Sequence, residues 1–147
     1  MKITIAMTVL CFVLNVSFAQ KIKSSDVPAN LRVALQQKYN VSTAKWDKEG
    51  ENYEASFKQK EKEMSVVLDA TGAVLEVETA IRKEELPKGI LDILKDDYSD
   101  FKVEETTKIV SNELVTYEVE VKKGEQSFDL IFDDHGKLIK KIEKEED

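Results

Sequence analysis

Cysteine is nearly absent from this chain: its single representative, Cys11, lies within the first nineteen residues. Everything downstream therefore lacks a disulfide, a thiol nucleophile and a thiolate metal ligand. Histidine is just as scarce, with His135 alone, so Ser–His and Cys–His catalysis has little to build on. Basic residues are in deficit, 22 against 29 acidic, for a net charge of −7 with 35% of the chain charged. Nucleic acid and anionic membrane surfaces are bound through clustered Lys and Arg that release counterions, so neither is an expected partner. No apolar run long enough to span a bilayer follows residue 19, and no membrane insertion of the mature chain is expected. What is present, 147 residues of which 41% are hydrophobic, suffices for a domain with a true core.

The first nineteen residues read as an export signal. Lys2 supplies a short positive start, Ile3 to Phe18 is mostly apolar, and Val16-Ser17-Phe18-Ala19 places small residues where signal peptidase reads them. Leu10 before Cys11 is too bulky for a lipoprotein site. Cleavage after Ala19 is expected, leaving a periplasmic or secreted chain.

The remainder is written twice. Val27-Pro28-Ala29-Asn30-Leu31 through Leu35 to Tyr39 recurs 59 residues later as Leu86-Pro87-Lys88-Gly89-Ile90 through Leu94 to Tyr98. Tyr53 to Phe57 recurs 64 residues later as Tyr117 to Val121, and Leu68-Asp69, Gly72 and Leu75 keep that offset. The change marks a five-residue insertion in the first hairpin of the second copy. The expected organisation is a signal at 1–19, a lead-in at 20–26, and two repeats at 27–81 and 86–144. Arg82 to Glu85 is too short to act as a flexible linker.

Each copy opens with a helix. Leu31, Ala34, Leu35 and Tyr39 form one stripe and Ile90, Ile93, Leu94 and Tyr98 another, with Pro28 and Pro87 in the first turns. The rest alternates with period two. Turns at Glu49-Gly50 and Lys60-Glu61 place Trp46 opposite Tyr53 and Phe57 opposite Met64. A four-residue turn at Asp69–Gly72 places Val66 opposite Leu75 and Met64 opposite Val77. In the second copy, a Lys123-Gly124 turn pairs Val119 with Phe128 and Tyr117 with Leu130, and the turn ending at Gly136 pairs Leu130 with Ile139. The hairpin near Ser111-Asn112 resists registration and implies a bulge. The expected fold is α+β: a tandem repeat of helix plus four-stranded antiparallel meander, helices on one face. The other face carries Glu54, Ser56 and Lys58, then Glu118, Glu120 and Lys122.

The order Val-Pro, amphipathic helix ending in Lys38-Tyr39, Ala44-Lys45-Trp46, Glu49-Gly50, Tyr53-Glu54-Ala55-Ser56-Phe57 and Leu68-Asp69-Ala70-Thr71-Gly72 resembles the PepSY-like, β-lactamase-inhibitor-like (BLIP-like) exported proteins of Bacteroidota. The resemblance covers residues 27–144. The second copy departs from the pattern, with Glu105 where the first has Trp46, and Gly89 within its helix. What the resemblance implies is an exported binding or inhibitory module; fold likeness alone assigns no target.

Candidate chemistry is sparse. His135 occupies a hairpin turn, where an ordinary turn role suffices. Asp69, Asp133 and Asp134 lie in four-residue Asp-x-x-Gly turns, far shorter than a calcium loop. No catalytic group, cofactor or metal is expected. Trp46 and Tyr53 fall on the apolar face as a core pair or a stacking platform. The turn registers set Val67 opposite Val74 and Ile131 opposite Leu138 on the face away from the helix. These are either scattered surface positions or a shallow apolar patch, rimmed by Glu76, Glu118, Glu120 and Lys140, that docks a partner. The sequence thus points to a non-enzymatic module binding an extracytoplasmic protein or peptide. The alternative is a periplasmic binder of small ligands or cations through its acidic surface; a hydrolase ranks last. If the signal is cut as read, N-terminal sequencing of the exported protein will begin at Gln20.

Overall fold

The structure, a computed structural model, describes residues 20–144. The export signal and its cleavage site lie outside those residues, as do the last three residues of the charged tail.

The described residues form two α-helices and nine strands. A short strand β1 (Gln20–Ile22) leads through a 3-10 turn to α1 (Ala29–Tyr39). Then come β2 (Lys45–Glu49), β3 (Asn52–Gln59), β4 (Lys62–Leu68) and β5 (Val74–Ala80). A second 3-10 turn (Lys83–Glu85) leads to α2 (Lys88–Asp97). The chain closes with β6 (Lys102–Ser111), β7 (Leu114–Lys123), β8 (Gln126–Asp133) and β9 (Leu138–Lys144). All nine strands form one open antiparallel sheet in sequence order. The fold is α+β.

Proline starts both helices for the reason the sequence gives. Pro28 and Pro87 precede the first helical residue, and their carbonyls accept the N–H groups of Leu31 and Ile90. α1 ends where Asn40 takes a left-handed φ of 55°. Leu31 and Leu35 pack with Trp46, Ala55, Val66 and Leu68 in one core cluster. Ile90 and Leu94 pack with Val119, Val121, Leu130 and Phe132 in another. Each helix is too short to persist alone and is held by this burial.

Turn chemistry sets the registers, and it revises several of those expected from sequence. Phe57 stands opposite Met64 as expected, across the turn Lys60-Glu61. Both turn residues have positive φ, 48° and 65°, the signature of a type I′ hairpin. At Gly50 and Gly124, however, the glycine takes the first loop position with a φ of 60°. The loops are therefore Gly50-Glu51 and Gly124-Glu125, as in a type II′ turn. That shift moves each register by two, so faces are preserved while partners change. Trp46 faces Ala55, Tyr53 faces Lys48, and Val119 and Val121 face Leu130 and Phe128.

The Asp turns matter more. Asp69 Oδ1 accepts the N–H groups of Thr71 and Ala73, and the Asp69 N–H reaches the Ala73 carbonyl. The loop thus closes on three residues, not four, and a bulge between Val67 and Leu68 absorbs the difference. Asp133 repeats the arrangement with His135 and Lys137, beside a bulge between Ile131 and Phe132. Val66 consequently faces Val77, and Leu130 faces Lys141.

In the second half the bulge lies between Val103 and Glu105, not at the hairpin tip, which is a tight Asn112-Glu113 turn with both φ positive. The bulge makes Thr106, rather than Glu105, the spatial counterpart of Trp46: Thr106 faces Val119 as Trp46 faces Ala55. Buried Thr106 donates its hydroxyl to the Ile81 carbonyl at 2.5 Å. The extra residues lengthen β6 and β7, and Thr107–Ser111 of β6 pair along β5.

Gly89 also has a cause. A side chain on Gly136, whose φ is +83°, would lie 3.1 Å from Gly89 Cα and from Ile90 N. Two glycines thus let the start of α2 touch the β8–β9 turn. Gly124 has φ +60° and open space around it. Gly124→Ala should cost about 1–2 kcal/mol from backbone strain. Gly136→Ala should cost about 1–2 kcal/mol more because backbone must also move. Urea unfolding of the two variants measures the difference.

Candidate functional site: a carboxylate-rich sheet face

The side chains that alternate with the core residues build the other face of the sheet. The ladders trace it in rows. Glu54 stands opposite Val67, which stands opposite Glu76, which stands opposite Ser111. One row over, Ser65 faces Glu78, Glu78 faces Ile109, and Ile109 faces Thr116. Farther along, Thr107 faces Glu118, Glu118 faces Ile131, and Ile131 faces Lys140. Glu105, Glu120 and Asp129 form a further row.

Carboxylates crowd the centre of this face. Burial among its neighbours pushes the Glu78 carboxyl up to about 7, and the charges of Glu76, Glu54, Glu118 and Glu49 add to the effect. Burial also raises Glu76, against a hydrogen bond it shares with Glu78. Glu118 rises through burial and the nearby charge of Asp129. Glu49 rises for the same two reasons, through Glu54 and Asp47. Some charge is answered: the Lys144 ammonium lies 2.9 Å from Glu120 and 3.6 Å from Asp129. Ser65 donates to Glu54 at 2.5 Å.

Glu78 lines a shallow open hollow of about 180 Å³ with Ser56, Ser65, Ala80, Glu105 and Thr107. A second hollow of about 340 Å³ adjoins it through Ala80 and Glu105 and extends to Ile81, Lys83 and Val103. Both sit at the β5–β6 junction. Ser56, Ser65, Ala80 and Thr107 supply the small side chains of the first hollow, beside Glu63, Met64, Glu78 and Glu105. The Glu78 carboxyl, raised to about 7, has the acidity of a general acid, but these hollows have no facing wall to enclose a reacting bond. Among the described residues, no three carboxylates or histidines converge where a metal ion would sit.

Of the residues singled out in the sequence, Val67, Glu76, Glu118, Glu120, Ile131 and Lys140 share this face. Val74 and Leu138 do not. The three-residue Asp loops place Val74 opposite Leu68 and Leu138 opposite Phe132, where each packs on a core cluster. The expected pairs Val67–Val74 and Ile131–Leu138 therefore do not exist. Val67 and Ile131 instead stand singly between charged neighbours, so no apolar patch forms from them. Trp46 is buried and Tyr53 packs on the same core, with the Lys48 ammonium 5.6 Å from its ring. His135 is an exposed turn residue whose N–H is bound by Asp133.

Sequence reasoning missed Glu78, Glu49 and Asp129. The period-two pattern of Glu76-Val77-Glu78 was the available signal; what it could not supply was the pairing of β5 with β6.

The raised carboxyls fix the sign of a pH dependence. Between about 4.5 and 7 the folded state holds a proton on Glu78 that the unfolded chain releases. Stability from this group is thus full below the unfolded value and lost as pH rises through 7. Glu76, Glu118 and Glu49 slope the same way. Glu78→Gln should raise the melting temperature at pH 8 and flatten its fall between pH 5 and 8, as followed by circular dichroism.

The family model described as "putative beta-lactamase-inhibitor-like, PepSY-like" matches residues 16–76 and 51–140. No curated protein matches the sequence. Among solved structures, a "putative periplasmic" protein of Bacteroides eggerthii superposes with a TM-score of 0.75 at 17% identity, covering 80% of this chain and 88% of that one. A DUF2874 family protein of Bacteroides uniformis gives 0.73 at 20% identity, covering 79% and 88%. A BLIP-like protein of Bacteroides fragilis gives 0.69 at 23% identity, covering 82% and 88%. At these identities the structures speak for the fold. No helix among the described residues is long and apolar enough to cross a membrane. Matched over most of its length, the chain belongs to the PepSY-like, beta-lactamase-inhibitor-like family.

Proposed function

We propose that this protein is an exported, non-enzymatic binding module whose carboxylate face takes an extended, lysine- or arginine-bearing segment of an extracytoplasmic protein. In this reading the chain is a tandem duplication, residues 27–81 and 86–144, with both helices on one side and the other side left for a partner. Support for the duplication comes from the equal element order after each 3-10 turn and from the matched Asp turns and bulges.

The observation that carries the binding reading is the crowding of Glu49, Glu54, Glu76, Glu78 and Glu118 on the face opposite the one whose residues pack with the helices. Like charges held together raise one another's proton affinity; a cation laid across them relieves that repulsion. The hollows at the β5–β6 junction leave space for the segment's backbone. Its lysines would reach the carboxylates on either side, and the isolated Val67 and Ile131 would meet apolar side chains between them. Inhibition of an enzyme by occupying such a segment is the form that the family's description suggests.

A synthetic peptide alternating lysine and valine tests this by calorimetric titration. Binding should be saturable, should weaken with added salt, and should weaken about tenfold or more in a Glu76→Gln, Glu78→Gln, Glu118→Gln variant that melts as high as the parent. No binding by the peptide, or equal binding by the variant, would remove the proposal. Saturable calcium binding without peptide binding would favour the small-cation reading instead.

A further inference from the structure

The two edges of the sheet are not alike. At one end the three-residue β1 lies along β2; at the other, the seven-residue β9 has no strand on its outer side among the described residues. An unpaired edge of this length presents a row of backbone donors and acceptors.

The same molecule shows what such an edge accepts. β5 follows the same sequence of features as β9: a bulge at the end of the preceding strand, an Asp-anchored three-residue loop, then seven strand residues. β5 receives Thr107–Ser111 along its outer side, with Glu76 facing Ser111 and Ala80 facing Thr107. Equivalent positions in β9 run from Lys140 to Lys144. Its backbone therefore has the trajectory of a strand that already pairs.

Lysines on an edge usually guard it. Two of these are turned back onto their own sheet. The Lys141 ammonium lies 3.7 Å from the centre of the Phe128 ring and 5.4 Å from that of Tyr98. Lys144 is held by Glu120 and Asp129. Between them Ile142 is half-buried and Glu143 exposed, and the outer side of β9 pairs with no strand among the described residues. Lys140, opposite the apolar Ile131, adds a positive charge that its ladder partner does not cancel. A second copy of β9 would bring like charges to the edge and is disfavoured.

We propose that the outer edge of β9 is a strand-addition site for an extended acidic segment of a partner protein. An acidic residue stands opposite Lys140, while the backbones form the next ladder. The edge borders the carboxylate face, with Lys140 at their margin; its test, an acidic peptide against its N-methylated form, does not depend on that reading.

The probe is an acetylated eight-residue peptide alternating glutamate and valine, offered to the purified protein and followed by amide hydrogen exchange and titration. Saturable binding is expected below about 1 mM, the weak end of strand-addition affinities. New amide protection should be confined to Leu138–Lys144. A peptide of the same sequence, N-methylated on alternate residues, should not bind, because it cannot form the ladder. Lys140→Glu should weaken binding at least about tenfold while leaving the fold intact. Absence of saturable binding, or equal binding by the N-methylated peptide, would overturn the proposal. So would a free protein that sediments as a dimer with β9 amides already protected.

Discussion

The ladder between β5 and β6 is the constraint on which this molecule depends. Five residues on each side, Glu76–Ala80 and Thr107–Ser111, turn two helix-and-meander halves into one nine-stranded sheet. Without that seam, the two core clusters would belong to separate small units, each with two bare edges. The joint is braced at one end by the Thr106 hydroxyl on the Ile81 carbonyl, and nearby by Glu85, which accepts from both Lys62 and the Arg82 N–H. Those contacts hold the Glu85 carboxyl well below its ordinary range. They fix the Arg82–Glu85 connector, which its length alone makes too short to act as a flexible linker.

The same seam creates the charge problem on the far face. Glu76 and Glu78 come from the first half and Glu118 from the second, so their proximity is a product of joining. A sheet built for stability alone would place threonine or alternating charges there. Instead the carboxylates are half-buried and repel one another, and the protein carries the cost as raised proton affinity. The helix-side face, by contrast, is resolved by packing: Leu31 and Leu35 on one cluster, Ile90 and Leu94 on the other.

Much of this was legible in the sequence because it is carried by local chemistry. Proline starts, helical stripes, strand alternation and the Lys60-Glu61 turn all translate directly into structure. The misreadings share a single origin, the number of residues a loop consumes. Glycine at the first rather than the second position of a two-residue loop moved partners without moving faces. The Asp loops closing on three residues did move a face, and they carried Val74 and Leu138 into the cores. Glu78 was hidden for another reason: its neighbours lie across a seam between halves, and seams leave no local signature. The bulge that set Thr106 in the place of Trp46 was equally silent, since the alignment offset alone pointed to Glu105.

The unequal lengths of β2 and β6 have a consequence for assembly. β6 has ten residues, and its distal half docks on the preceding half; β2 has only five and stops short, with β1 laid beside it. A neighbouring molecule bringing its first half to β9 would have no matching extension to offer. The joint between β5 and β6 thus rests on a length of β6 that β2 does not have.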